Sequence, residues 1–272
     1  MVLVDSPEPS IDVEPGPWLQ IGPPRRLRRV TATLPIAAAR LPEAGLRIVH
    51  LSDLHLRRTV PRGLVRLAEE LGRDPPDLLL FTGDFVDDKL TPTRHIATLA
   101  AVLDGFRGVA RLGSFGIIGN HDGDTIAARL EAMGVTPLHG RQVRVESGES
   151  VVDLLGMPGT FRHEWPEAGS LTRDADVPLV VLNHYPDEVR RLSLLRPDLY
   201  LAGHTHGGQI ALPTRPLMTH DTLPNAMSSG IHRVGETWLC VSRGVGTTRL
   251  PFRVFSPPEW IDLRLVRANE PK

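Results

Sequence analysis

The sequence predicts an α/β fold, because short buried strands alternate with amphipathic helices through the first half of the 272-residue chain. Apolar runs without polar alternation, such as residues 78–81, indicate strands that are covered on both faces. The order β-α-β-α-β is typical of a layered arrangement of sheet and helices. Hydrophobic residues make up 41% of the chain and charged residues 23%, as in a soluble globular protein with a sizeable core.

The N-terminal 24 residues are rich in proline and acidic residues and poor in large apolar side chains. We therefore expect residues 1–24 to form a flexible tail. No repeat or long linker follows, so we expect residues 25–272 to form a single domain. The basic run 25–29 is interpreted as a solvated cluster before the first strand, with contact to anionic lipid or a partner as the alternative.

Local patterns define the elements of the first half. The pattern of residues 46–51 predicts a strand, and residues 61–71 have helical spacing with Pro61 near the first turn and Gly72 after the last. The next predicted elements are a strand over 77–81, a helix over 94–103, a strand over 114–118 and a helix over 125–133 that Asp124 caps.

The second half is richer in strands. Strands are predicted over 144–145, 151–155, 177–182, 199–202, 237–241 and 260–265, with a helix over 187–195.

Charge and composition exclude several classes of protein. A net charge of −1 gives no electrostatic case for a nucleic-acid partner. The single cysteine, Cys240, excludes an internal disulfide framework and is interpreted as a buried core residue. No apolar stretch approaches the roughly 18 residues of a membrane helix, and no secretory signal is visible. We therefore expect a cytoplasmic protein without a transmembrane segment, which could contact a membrane peripherally.

The heptapeptide 203–209 contains two histidines one residue apart, flanked by glycines, directly after a predicted strand. Alternate residues of an extended segment project to the same side. We therefore expect His204 and His206 to point into one site.

Four other strand ends also carry potential metal ligands. The candidate ligands at the five strand ends are Asp53, His55, Asp84, Asn120, His184, His204 and His206. Sites in α/β sheets form beyond the carboxyl ends of strands, so these residues should converge on one cleft. Carboxylate, amide and imidazole groups without thiolate suit Mn, Fe, Zn, Co or Mg. If Asp84 bridges, the seven residues supply four ligands to each of two ions, an arrangement that clamps a phosphoryl group and ionises a bridging water.

The motifs Asp53–His55, Gly83–Asp84, Gly119–Asp122, His184 and Gly203–His206 together resemble the calcineurin-like metallophosphoesterase superfamily, in the order found in that family. The resemblance implies a four-layer αββα sandwich with two mixed β-sheets. It also implies two divalent metal ions, with the choice among Mn, Fe and Zn left open.

The resemblance assigns a role to each motif residue. Asp53, His55 and His206 would hold the first ion, Asn120, His184 and His204 the second, and Asp84 would bridge them. His121 would stabilise the transition state or protonate the leaving oxygen, and Asp122 would orient His121.

The segments 204–210, 241–247 and 251–253 resemble a narrower bacterial branch of phosphodiesterases that includes UDP-2,3-diacylglucosamine pyrophosphatase-like enzymes. Within this branch Arg243 and Arg253 are candidate substrate-binding residues, with surface arginines as the alternative. From the N-terminal residues we expect no membrane anchor of the kind found in that branch.

These patterns predict hydrolysis of a small-molecule or lipid-linked phosphoester by a metal-bridging hydroxide, in a phosphodiesterase or pyrophosphatase. The alternatives are a phosphomonoesterase or phosphoprotein phosphatase, a cyclic-nucleotide phosphodiesterase, a nuclease, or a non-catalytic binding module. Among the remaining residues, His50 is interpreted as a core histidine, His163 as a residue that could line the cleft, and Asp87 and Asp88 as exposed loop acids.

Overall fold

Two mixed β-sheets pack against each other in the computed structural model of the chain. The structure describes residues 9–87, 91–148, 150–157, 171–213, 215–217, 224 and 227–268. The larger sheet has the strand order β1-β3-β17-β4-β5-β6-β7 and the other has the order β14-β15-β11-β10-β9-β8. Each combines parallel and antiparallel pairs, which confirms the predicted α/β class with two mixed sheets.

The bounds of the strands in the described residues are as follows. The first eight are β1 (Ser10–Val13), β2 (Leu19–Ile21), β3 (Arg28–Ile36), β4 (Leu46–Leu51), β5 (Leu78–Phe81), β6 (Ser114–Gly116), β7 (Thr136–Pro137) and β8 (Gln142–Ser147). The rest are β9 (Ser150–Gly156), β10 (Leu179–Leu182), β11 (Leu199–Ala202), β12 (Ala211–Leu212), β13 (Arg215–Pro216), β14 (Gly230–Val234), β15 (Thr237–Val241), β16 (Phe252–Val254) and β17 (Glu259–Arg267). Two small antiparallel sheets, β12–β13 and β2–β16, lie outside the main pair.

The three α-helices and the 3₁₀ helix Pro186–Leu195 lie on the outer faces of the sheets. The α-helices are α1 (Arg62–Arg73), α2 (Ile96–Gly105) and α3 (Asp124–Leu130), and 3₁₀ helices cover Pro92–His95, Pro186–Leu195 and His206–Gly208. Asp124 was predicted to cap α3, but Gly123 occupies the N-cap position in extended conformation and makes no side-chain cap. Asp124 is instead the first helical residue, where its negative charge interacts favourably with the positive end of the helix dipole.

The segment predicted as an α-helix over 187–195 is a 3₁₀ helix over Pro186–Leu195. Among its described side chains the buried ones, Pro186, Val189 and Leu192, follow one another at intervals of three residues. Three residues per turn is the repeat of a 3₁₀ helix, so this spacing keeps all three side chains on one face.

Three apolar clusters define the layers. Ile48, Leu80 and Leu263 of the larger sheet share one cluster with Val180 and Leu201 of the smaller sheet, so this cluster fills the space between the sheets. A second cluster packs α1, α2 and α3 on the outside of the larger sheet. A third packs the 3₁₀ helix Pro186–Leu195 on the outside of the smaller sheet. The order of layers is therefore helix, sheet, sheet, 3₁₀ helix.

Residues 1–24 were predicted to be a flexible tail, but the structure places two strands in the described part of it. β1 is the edge strand of the larger sheet and pairs with β3, and β2 pairs with β16. Such strands are held by backbone hydrogen bonds, so the hydrophobic pattern of the sequence does not predict them. The boundary of the domain near residue 25 stays a prediction.

None of the described helices combines the length and the apolar character that crossing a bilayer requires.

Candidate metal centre

The carboxyl ends of strands from both sheets meet in one buried cluster. The larger sheet contributes Asp53 and His55 after β4, Asp84 after β5 and Asn120 shortly after β6, and the smaller sheet contributes His184 after β10 and His204 and His206 after β11. Because parallel strands end at the same edge of a sheet, residues distant in sequence come together here.

One side of the cluster contains two imidazoles and a carboxylate. The Nε2 atom of His206 lies 3.4 Å from Oδ1 of Asp53 and 3.0 Å from Nε2 of His55. His55 Nε2 is also 3.5 Å from Oδ2 of Asp84. All four residues are buried, so these atoms converge on a site that is largely shielded from bulk water.

The other side of the cluster is centred on His184. Its Nε2 atom lies 3.3 Å from Oδ2 of Asp84, 3.1 Å from Oδ1 of Asn120 and 3.3 Å from Nδ1 of His204. Its Nδ1 atom is 2.8 Å from the carbonyl oxygen of Thr82, where an N–H donates. That bond selects the tautomer whose Nε2 lone pair faces the cluster, as in histidines that bind metals.

The donor set fits divalent cations. In the described residues three groups of side chains bring nitrogen and carboxylate atoms within 4.8 Å of one another. They are Asp53–His55–His206, Asp53–Asp84–His184 and His55–Asp87–His121. Buried oxygen and imidazole donors without thiolate are typical of sites for Mn, Fe or Zn.

Opposite charges offset the cost of burying these groups. Burial by itself would raise the pKa of Asp84, but the charges of His184 and His55 and a hydrogen bond with His184 hold it well below the usual range. Burial opposes protonation of His184, yet Asp84 raises the pKa of that imidazole to about 9. Burial and the positive charges of His55 and Arg253 lower the pKa of His206. The cluster thus favours an ionised Asp84 and a neutral His206, whereas burial and the negative charge of Asp84 raise the pKa of Asp53.

Five of the candidate ligands have left-handed backbone conformations. Their φ values are 50° for Asp53, 40° for His55, 54° for Asp84, 69° for His204 and 53° for His206. Such strain in residues other than glycine clusters at functional sites, where the surrounding structure maintains it.

The conformations of His204 and His206 correct the expectation of an extended segment. A turn aims the two rings at different neighbours, His204 at His184 and His206 at His55 and Asp53.

His121 and Asp122 occupy the loop after β6. The backbone N–H of His121 donates to Oδ1 of Asp84 at 2.7 Å, and its ring packs edge-on against His55. The carboxylate of Asp122 accepts three backbone hydrogen bonds, from the N–H groups of Gly119, Phe85 and Val86. Asp122 therefore fixes the loop that carries His121, and its predicted direct orientation of the imidazole stays a prediction.

The structure gives Arg253 a different place from the predicted one. It is only 1% exposed, and its guanidinium donates to the carbonyl oxygens of Gly246, His206 and Ser256. An Nη2 atom also lies 3.1 Å from Nδ1 of His206. Burial lowers the pKa of Arg253 to about 10. This arginine supports the His206 turn from behind, so it is not available to bind substrate in the described structure.

Arg243 lies on the far side of the same turn. Its Nε atom donates to Ser229 Oγ at 3.1 Å, and its side chain lines a separate cavity with Gly207 and Phe255. It does not line the cleft described below, so its predicted contact with substrate stays a prediction.

Asp87 is a residue that the sequence interpretation placed wrongly. It was expected to be an exposed loop acid, but its side chain is 15% exposed and its Oδ1 lies 3.3 Å from Nδ1 of His55. Its other oxygen accepts from Arg57 Nη2 at 2.7 Å. The available signal was topological: the loops after the parallel strands β4 and β5 run side by side through a bridge between Leu56 and Val86.

Two further histidine expectations have different outcomes. His50 is fully buried, as expected of a core residue, and its Nε2 is 2.8 Å from Thr82 Oγ1. Burial lowers the pKa of His50 to about 3. His163, which was interpreted as a residue that could line the cleft, lies outside the described residues, as does Asp88.

A cleft of about 490 Å³ opens over the cluster. The polar end of the cleft is lined by Asp84, Asn120, His121 and His204. Its other wall is formed by the apolar side chains of Ile210, Leu217 and Leu250, together with Arg249. The cleft therefore offers polar groups at one end and an apolar wall at the other.

Comparison with known proteins identifies relatives of this chain. Residues 46–208 match the sequence model of the calcineurin-like phosphoesterase family. The chain is 29% identical to phosphodiesterase YaeI of Escherichia coli, over 82% of this chain and 83% of that protein. It is 26% identical to UDP-2,3-diacylglucosamine pyrophosphatase LpxG of Chlamydia muridarum, over 86% of this chain and 87% of that protein.

A longer relative occurs in zebrafish. The chain is 31% identical to a transmembrane protein with metallophosphoesterase domain from Danio rerio, over 86% of this chain. The match spans only 56% of that relative's length.

Proposed function

The chain belongs to the calcineurin-like phosphoesterase family, and from this premise we propose that it hydrolyses a phosphodiester or a pyrophosphate. The observation that supports this best is the cluster of two aspartates and four histidines, of which all but the half-buried His204 are buried, beside an open cleft that Asp84, His204 and His206 line. Relatives named as a phosphodiesterase and a pyrophosphatase favour these two substrate classes. The substrate is proposed to be a small-molecule or lipid-linked phosphoester.

We propose that the cluster holds two divalent cations of Mn, Fe or Zn. Asp53, His55 and His206 would hold one, Asn120, His184 and His204 would hold the other, and Asp84 would contact both. When bound, such cations supply Lewis-acid polarisation of the phosphoryl group and lower the pKa of a water molecule that attacks it. The sharing of Asp84 is supported by its 3.5 Å and 3.3 Å distances to the Nε2 atoms of His55 and His184.

The residues around the cluster would position the ester and manage protons. His121 lines the cleft beside Asp84 and is proposed to donate a proton to the leaving oxygen. The three backbone hydrogen bonds to Asp122 keep this loop in place during turnover. Ile210, Leu217 and Leu250 would exclude water from one side of the ester.

The test uses the full chain with Mn²⁺, Fe²⁺ or Zn²⁺. It measures the rates at which the protein hydrolyses bis-p-nitrophenyl phosphate, p-nitrophenyl phosphate and a nucleotide-sugar pyrophosphate. Asp84→Ala should lose bound metal and activity together, whereas His121→Ala should retain metal and lose kcat. Asp104→Ala is the control, because Asp104 is an exposed residue of α2. Metal content is measured by mass spectrometry of the purified proteins.

Three results would contradict the proposal in different ways. Faster cleavage of the monoester than of either other substrate indicates a phosphomonoesterase. A chain that holds no metal and gains no activity with added Mn²⁺ indicates a non-catalytic binding module. Wild-type kcat in His121→Ala removes that residue from the mechanism.

A further inference from the structure

The small sheet β2–β16 directs its apolar side chains outward, next to the metal cleft. Its register places Ile21 opposite Phe252 and Leu19 opposite Val254. Opposed residues and their next-but-one neighbours share a face of an antiparallel pair, so these four side chains lie together. Ile21 is 70% exposed and Leu19 37% exposed. The opposite face carries the buried Arg253.

Aromatic side chains extend this face at one end. Trp18 is 63% exposed and Phe255 38% exposed, and their ring centroids are 6.0 Å apart. The backbone N–H of Phe255 donates to the carbonyl oxygen of Trp18, which holds the two residues side by side. We call the face formed by Trp18, Leu19, Ile21, Phe252, Val254 and Phe255 the apolar ribbon.

A cluster of arginines adjoins the apolar ribbon. Arg25, Arg26, Arg62 and Arg66 surround an open pocket of about 470 Å³. Pro17, next to Trp18, and Gln20, the partner of Arg253 on the other face of β2–β16, also line this pocket, so the pocket borders the segment that carries the ribbon. We call it the arginine pocket.

The charge of the arginine pocket is not neutralised by nearby acids. Within the described ranges none of its four guanidinium groups forms an ion pair, whereas the neighbouring Arg29 pairs with Glu70 and Asp262. The four arginines are exposed. Their charge is therefore available to a partner, although the whole chain has a net charge of only −1.

We propose that the apolar ribbon and the arginine pocket together dock the protein on an anionic phospholipid membrane. Exposed aliphatic and aromatic side chains gain from insertion at the boundary between headgroups and acyl chains, and adjacent arginines gain from anionic headgroups. A soluble phosphate would engage the arginines but leave the ribbon in water. The combination of both features favours a lipid surface.

Docking in this way places the metal cleft close to the membrane. Val254 of the ribbon forms a bridge with Ile210, and Ile210 lines the cleft. The cleft would therefore open beside the docked face, within reach of a substrate held in the bilayer. The docking itself does not depend on the proposed hydrolytic activity, and its test below needs no substrate.

The test is flotation of the full chain with vesicles of phosphatidylcholine alone or with about one third phosphatidylglycerol. We expect binding to the anionic vesicles that falls as salt increases, and weak binding to neutral ones. Trp18 reports insertion when the protein carries Trp165→Phe, because Trp238 and Trp260 are buried and Trp165, the fourth tryptophan, lies outside the described residues. Its fluorescence should shift to the blue on binding and be quenched by brominated lipid, and both changes should be reduced in Trp18→Phe.

Paired variants separate the two parts of the surface. Arg62→Gln with Arg66→Gln should lower the partition coefficient about 30-fold, since each arginine near an anionic surface contributes about fivefold. Ile21→Gln should lower it about tenfold, because an inserted apolar side chain is lost.

Matched controls lie on the opposite outer layer of the molecule. The 3₁₀ helix Pro186–Leu195 carries Leu194, which is 95% exposed, and the exposed Arg190 and Arg191. Leu194→Gln, and Arg190→Gln with Arg191→Gln, should bind vesicles like the wild type.

Several outcomes overturn the proposal. One is equal binding to neutral and anionic vesicles, and another is binding that the control variants weaken as much as the surface variants. Binding that depends on the arginines but leaves Trp18 fluorescence and Ile21→Gln unchanged would indicate a site for soluble anions instead. The melting temperature of each variant is measured as a control, because an unchanged value shows that weaker vesicle binding does not result from unfolding.

Discussion

Asp87 shows how one carboxylate outside the predicted ligand set can control a ligand. It lies 3.3 Å from Nδ1 of His55 and is itself held by Arg57. A carboxylate on the far nitrogen of an imidazole fixes the tautomer and the orientation of the ring, and raises its basicity toward a metal. Asp87 is therefore a positioning residue for the proposed centre.

Asp87→Asn should weaken metal binding or activity by about 10–100-fold, the usual effect of removing such a partner. The measurement is the Mn²⁺ concentration that gives half-maximal hydrolysis, together with kcat at saturating Mn²⁺. Asp104→Asn, on the exposed side of α2, should change neither. An unchanged Mn²⁺ requirement in Asp87→Asn would show that Asp87 does not act through His55.

Arg253 is a second residue outside the proposed ligand set that stabilises the structure around a ligand, His206. Its guanidinium satisfies three backbone carbonyl oxygens in a region without solvent, and its planar fork suits this geometry better than an ammonium group does. Arg253→Met should lower the free energy of unfolding by about 3 kcal/mol, because the buried acceptors lose their donors. Urea denaturation measures this value.

Arg111→Met is the control that shows how much of the loss of stability in Arg253→Met comes from the burial of the arginine. Arg111 is 54% exposed and pairs with Asp77 at the surface, so its loss should cost less than about 1 kcal/mol. Similar losses in Arg253→Met and Arg111→Met would mean that the buried network does not stabilise the fold. Arg253→Lys should recover only part of the loss, since a single ammonium cannot reach all three carbonyl oxygens.

At the scale of elements, the loops after β5 and β6 pack so closely that only glycine fits. A Cβ atom on Gly119 would lie 2.2 Å from Oδ1 and 2.5 Å from the backbone nitrogen of Asp84. A Cβ atom on Gly83 would lie 2.3 Å from the backbone nitrogen of Gly119. Two adjacent strand ends are thereby locked together at the residue proposed to be shared by both cations.

Gly119→Ala should destabilise the fold by about 3 kcal/mol and reduce bound metal, because the backbone around Asp84 has to move. Gly72→Ala tests glycine replacement without a clash, as a Cβ there would meet nothing within 4 Å. In helix α1 that change should stabilise by up to about 1 kcal/mol. Chemical denaturation and metal analysis of both variants provide the comparison, and a Gly119→Ala protein with normal stability and metal content would contradict the packing argument.

The sequence predicts strands and helices well where burial requires a recognisable pattern of apolar residues. β4, β5, β10, β11 and β15 are apolar-rich strands that are buried at every position, and each was predicted within a few residues. β1 is exposed at every position, so hydrophobicity carries no information about it. The 3₁₀ helix Pro186–Leu195 was taken for an α-helix because a three-residue spacing of apolar residues fits both.

The same reasoning explains what the sequence could and could not predict about the site. The candidate ligands follow strand ends, and the topology brings those ends together. Asp87 and Arg253 act through contacts between loops, and the bond from Arg253 to His206 crosses 47 residues of chain. No local pattern encodes such contacts. The outward face of β2–β16 was missed because it belongs to segments that had no predicted strand.

At the scale of the whole molecule, the candidate centre joins the two sheets. Asp53, His55, Asp84 and Asn120 come from loops of the larger sheet, and His184, His204 and His206 from loops of the smaller one. Cations bound between them would link the two sheets at one end of the core that they share. Any ligand that binds only the folded state stabilises it by mass action, and here that stabilisation would act across the interface between the sheets.

Removal of metal should therefore lower the melting temperature of the entire domain in a single transition. At a free Mn²⁺ concentration about 100 times its dissociation constant the stabilisation is about 2.7 kcal/mol, which corresponds to roughly 5–10 °C for a domain of this size. Differential scanning calorimetry before and after chelation, and again after Mn²⁺ is restored, measures the shift. Asp84→Asn, which removes the charge of the proposed shared ligand, should melt at the same temperature with and without Mn²⁺. A wild-type protein whose melting temperature does not respond to chelation or to Mn²⁺ would rule out the link between the sheets, whereas a shift that Asp84→Asn retains would place the cation elsewhere in the molecule.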